Sequence, residues 1–91
     1  MYDTDKYSGK ICSRTLQTLV LYGKSHVPTG GFLKCVLSND LSGSVGRADE
    51  RNLESLPDIV KFIYNEMPTG SHGSEAAVKT WIKGGKTHET Y

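Results

Sequence analysis

Residues Glu50 to Met67 read ERNLESLPDIVKFIYNEM, and their spacing decides the fold class. Leu53, Leu56, Val60, Ile63 and Met67 recur every three or four positions, flanked by Ile59 and Phe62. That period lays an apolar stripe along a helix. Asp49 stands just before the run, where its carboxylate can accept from the free amides of the first turn. The spacing predicts a helix over 50–66. Pro57 lies inside it, removes one amide donor, and predicts a kink or an early break.

The segments on either side follow the same period. Upstream, Ile11, Leu16, Leu19, Val20 and Tyr22 predict a first helix over 5–24, weakened at Gly9 and stopped by Gly23 and Pro28. Phe32, Leu33, Val36 and Leu37 predict a second helix from Gly30 or Gly31 through Asn39. The LSGSVGRAD segment carries Gly43 and Gly46, each costing about 1 kcal/mol in a helix interior. Because Leu41 and Val45 are four apart, the expectation there is a loose or kinked helical continuation. Ser74 caps a last helix over 75–83, ended by Gly84 and Gly85. Residues 1–4 and 84–91 read as flexible ends. Nothing alternates with period two. The fold class is all-α: one domain over 1–91, with three main helices and a short C-terminal fourth.

The chain has 91 residues, eleven basic and ten acidic, for a net charge of +1. A domain of this size buries only about 60–65% of the surface its unfolded chain exposes, so a partner copy would help it. The near-neutral balance argues against a nonspecific nucleic-acid binder. No apolar run reaches the ~18 residues of a membrane span. The first residues, MYDTDKYSGK, do not read as a signal peptide, so the expected setting is intracellular and Cys12 and Cys35 are expected to be reduced thiols. His26, His72 and His88 show no metal-ligand spacing with either cysteine, and no nucleophile-and-base set is specified. The reading is a protein without cofactor, metal or catalytic residues.

The chain uses Pro-Thr-Gly twice, as Pro28-Thr29-Gly30 and Pro68-Thr69-Gly70, each time ahead of an apolar helical run. In the plain structural account, proline stops one helix, Thr29 caps the next, and the glycines permit positive φ. The functional account uses the same geometry, because a helix start offers free amides to an anionic oxygen. Ser71, His72, Gly73 and Ser74 would add hydroxyl, imidazole and backbone partners around a phosphate or a base edge. The pattern is not a phosphate loop, which needs a Gly-Lys-Ser/Thr ending after a strand.

The ordered motifs PTGGFLKCVLSNDL, GRAD, LPDIVKFIYNEMPTGSHGS and VKTWI resemble those of a family of short phage proteins, the anti-CBASS sponges. The resemblance runs from about Leu19 to Ile82. It implies a small helical protein that assembles as a hexamer in the cytoplasm of an infected bacterium. It further implies sequestration, without cleavage, of cyclic oligonucleotide messengers such as cyclic GMP-AMP and cyclic triadenylate. One type of pocket would hold dinucleotides between paired protomers. Another, where three protomers meet, would hold trinucleotides.

Two phosphodiesters carry about two negative charges, which two symmetry-related copies of a near-neutral chain can meet. Tyr22 is the expected stacking platform, worth about 1–3 kcal/mol per base. Lys24, His26 and Lys34 are the expected phosphate contacts near the first turn. The second turn, Pro68 to Ser74, is assigned to the trinucleotide together with Arg47. The competing class is a small helical inhibitor or adaptor of a host protein, whose mark would be an exposed apolar patch. A DNA-binding helix-turn-helix is disfavoured, because the last helix carries only Lys79 and Lys83 as cations.

Overall fold

The computed structural model describes residues 3–84. A 3-10 turn at Asp5–Tyr7 precedes five helices: α1 (Ser13–Ser25), α2 (Gly31–Leu37), α3 (Leu41–Arg47), α4 (Glu50–Glu66) and α5 (Glu75–Ile82). Among the described residues there is no strand, only one isolated bridge between Ser8 and Ile11. Among the described residues no helix is long and apolar enough to cross a membrane.

The first helix is shorter than its periodicity suggests. Gly9 takes φ +84°, outside the helical region, and separates the 3-10 turn from α1. The amides of Lys10 and Ile11 both bond the Tyr7 carbonyl, at 3.0 and 3.1 Å. That hairpin-like turn places Tyr7 and Ile11 in the core, with the Tyr7 ring edge-on to Phe62 at 5.2 Å.

Asn39, at φ +64°, ends the second helical run and makes α3 a separate helix rather than a kinked continuation. The Asp40 carboxylate caps α3 by accepting from the Gly43 amide at 2.9 Å. A Cβ at Gly43 would collide with that carboxylate and press on Cys35 Sγ, so a larger residue there would displace the cap.

Helix α4 begins where the sequence places it, with Asp49 accepting from Asn52 N at 2.8 Å. It runs unbroken through Pro57. Proline removes the one amide that would have bonded the Leu53 carbonyl, and both residues lie on the exposed side, where water can serve instead. The buried stripe is Ile59, Phe62, Ile63 and Met67. Leu53 and Val60, members of the predicted stripe, stay 46% and 37% exposed, while Ile59 and Phe62, expected only to flank it, are fully buried. With Leu41 at 70% and Val45 at 45% exposed on α3, the structure leaves several apolar side chains of α3 and α4 uncovered.

Leu19 and Tyr22 of α1, Leu37 of α2 and Val78 of α5 pack with the α4 residues into one cluster. Ser74 caps α5 by accepting from Ala77 N at 3.0 Å, as its position predicts.

Candidate functional site

The two Pro-Thr-Gly turns are built differently. In the first, positive φ falls on His26 at 60°, while Gly30 sits at φ −74°. Thr29 does not cap α2. Its hydroxyl turns to the Gly30 carbonyl at 3.2 Å, and Gly30 itself is the N-cap, without a side-chain bond. In the second turn, the expected positive φ does occur, at Gly70 (98°) and Gly73 (113°).

Several expected ligand contacts prove to be internal supports. Tyr22 is fully buried, so its ring has no face for a base, and its role as a stacking platform is corrected. Its hydroxyl donates to the Ser71 carbonyl at 2.6 Å, and burial pushes its pKa up to about 12. Two donors converge on its own carbonyl: the amide of His26 at 3.0 Å and Trp81 Nε1 at 2.8 Å. His26 Nδ1 bonds the Trp81 carbonyl at 2.6 Å, and the two rings lie 4.6 Å apart. His26 therefore locks α1 to α5.

Ser71 is equally committed. It is fully buried, and its hydroxyl donates to the Pro68 carbonyl at 2.7 Å. The hydroxyl proton being used there, His72 Nδ1 serves as donor to Ser71 Oγ at 3.0 Å, which leaves Nε2 as the acceptor. Burial pushes the His72 pKa down. The Gly73 amide donates to the Leu37 carbonyl at 2.7 Å, and Ser74 is occupied as a cap. Of the second turn, Thr69, Gly70, Gly73 and Ser74 are exposed, and Pro68 and His72 are partly so.

The cations are placed more favourably. Lys34 on α2 and Arg47 at the end of α3 line one cleft of about 480 Å³, with Gly31 and Cys35 of α2 and Glu75 at the start of α5. Arg47 lies over Gly31, so closely that a Cβ there would stand 3.4 Å from its guanidinium nitrogen. The structure thus groups Arg47 with the first turn rather than the second. The Ser38 hydroxyl, on the same cleft, is buried without a hydrogen-bond partner. Pro28 is exposed beyond α1, and Lys24 lies on the last turn of α1; neither lines the cleft.

Sequence reasoning missed Asp40, Glu75 and Ser38 as neighbours of the two cations. Glu75 was visible only as a first-turn residue of α5, and nothing local shows that α5 starts beside α2. Among the described residues no group of three or more His, Cys, Asp or Glu could hold a metal ion. His88 lies outside the described residues.

Comparison with known protein families, with curated proteins and with solved structures found no match.

Proposed function

We propose that the chain binds cyclic di- and trinucleotide second messengers of bacterial immunity and sequesters them uncleaved, as a homo-oligomer in the host cytoplasm. The observation that carries this reading is the convergence of Lys34 and Arg47, from different helices, on one cleft beside the first Pro-Thr-Gly turn. Arginine supplies a planar fork for a phosphodiester, and lysine supplies a mobile point charge. Two copies related by a two-fold axis would present four cations to a ligand with two phosphates, beside the carboxylates of Asp40 and Glu75 that line the same cleft. The unpartnered Ser38 hydroxyl is a further donor for a ligand oxygen. The resemblance of the ordered motifs to those of the sponge family points the same way.

Base stacking passes from Tyr22 to Tyr64. That ring is 51% exposed and meets His72 edge-on at 4.4 Å, next to the second turn. A base laid on Tyr64 would have the His72 ring beside it.

Calorimetric titration with cyclic GMP-AMP and cyclic triadenylate tests the proposal. Saturable binding is expected, with the messenger recovered intact after heat denaturation. No heat with either ligand would remove the proposal, and linear products would replace sequestration by hydrolysis. The second reading, a helical inhibitor of a host protein, rests on exposed Leu41, Val45, Leu53 and Val60. Those side chains equally suit a second copy of the chain.

A further inference from the structure

A second cleft, of about 290 Å³, opens beside the start of α1, and the Lys34–Arg47 site does not account for it. Its charged lining is Lys10, from the turn before α1, and Arg51, from the first turn of α4; no carboxylate lines it. In this it differs from the Lys34–Arg47 cleft, where Asp40 and Glu75 offset the cations. Neither Lys10 nor Arg51 forms an ion pair with a described residue. The hydroxyl-bearing side chains Ser8, Ser13 and Ser55 complete the polar wall.

We infer that this cleft is a binding site for a dianionic phosphate group, held between Lys10 and Arg51. The two side-chain cations, drawn from separate elements, carry the inference. Their summed charge matches a phosphate monoester rather than a diester. The serine hydroxyls can donate to its remaining oxygens. The volume lies at the lower bound of ligand pockets and is ample for a phosphate group.

Cys12 also lines the cleft, and its thiol is acted on by neighbouring amides and by Arg51. The amides of Arg14 and Thr15 lower its thiol pKa most, burial opposes them, and the charges of Arg51 and Arg14 lower it further. A thiolate is itself an anion, so what favours it also favours a phosphate oxygen. The group could be free phosphate or the terminal phosphate of a nucleotide.

The test titrates the full chain with inorganic phosphate, and separately with adenosine 5′-monophosphate, at constant ionic strength against chloride. Amide resonances of Ser13, Arg14 and Thr15 are followed by NMR, together with the rate of Cys12 alkylation by iodoacetamide. Saturable shifts and slowed Cys12 alkylation are expected with phosphate. Equal affinity for the two probes identifies the phosphate group alone as the occupant. Tighter binding of the nucleotide identifies a phosphate carried on a nucleoside. Arg51→Gln, and independently Lys10→Gln, should each weaken binding by about tenfold. Lys34→Gln should leave it unchanged, which separates failure here from failure of the messenger site. Linear, unsaturable shifts, or equal effects in the wild-type chain and both Gln variants, would overturn the site.

Discussion

The hydroxyl of Tyr22 donates to the backbone carbonyl of Ser71, 49 positions further along the chain, at 2.6 Å inside the core. A residue that the sequence offers as a ligand platform is thus the strut that holds the second turn. Tyr22→Phe keeps the ring and strands a buried carbonyl, so it should cost about 1–3 kcal/mol. Tyr22→Ala also opens a cavity and should cost about 3–5 kcal/mol. Urea denaturation measures both. A Phe variant as stable as the parent would show that the bond contributes nothing net.

The same burial fixes a pH dependence. Tyr22 has a folded pKa raised to about 12, so the unfolded chain ionises first, near its ordinary value of about 10. The stabilisation is fully present below pH 10 and is lost as pH climbs toward 12. His72 acts in the opposite direction. Its folded pKa is depressed, so the unfolded chain binds the proton more readily, and stability falls as pH drops below about 6.5. Melting temperature against pH should fall at both ends. Tyr22→Phe should flatten only the alkaline side, and His72→Gln only the acid side.

If the proposed messenger site is occupied as argued, Lys34→Gln and Arg47→Gln should each weaken cyclic GMP-AMP binding by about tenfold or more. The double variant should show a shallower salt dependence, since fewer cations meet phosphate. Both side chains are exposed, so melting temperature should stay close to that of the parent. Unchanged affinity in the double variant would move the ligand elsewhere on the molecule.

Tyr64→Ala probes stacking apart from charge. The ring is half exposed, so its loss should cost little stability and about 1–3 kcal/mol per stacked base in affinity. If calorimetry finds no change for either messenger, the Tyr64 face is not a base platform.

Assembly is tested through the uncovered apolar side chains. Leu41→Glu, at a position 70% exposed, adds charge without disturbing the core. Light scattering of the parent at micromolar concentration should give several times the monomer mass of 10.0 kDa. The variant should scatter as a smaller species. A parent that is already monomeric would leave the shared-pocket arrangement without a basis.

Helix positions were legible because capping and periodicity are local. Asp49 and Ser74 sit at the caps their side chains predict, and α4 runs over the predicted 50–66. The first helix was overextended, because Ile11 has helical spacing relative to Leu16 and Leu19 yet reaches the core from a turn. Only the backbone at Gly9, with φ +84°, distinguishes the two. Tyr22 was misjudged for a related reason. A tyrosine near a helix end can equally face solvent or core, and its partner, a carbonyl of the distant second turn, carries no sequence signature. The pairing of Lys34 with Arg47 was hidden in the same way, since it depends on how α3 folds back after Asn39.

The second turn carries a further consequence. Its Ser71 carbonyl is tied to α1 and its Gly73 amide to α2, so this irregular segment is anchored from two sides. Loops ordinarily exchange their amide protons through small local fluctuations. Here the Gly73 proton can leave only when its bond to Leu37 opens, and that bond sits beside the packed core. Its exchange rate should follow the global opening of the fold, as amides of α4 do. The segment between α4 and α5, irregular by backbone geometry, would then belong to the most slowly exchanging unit of the protein.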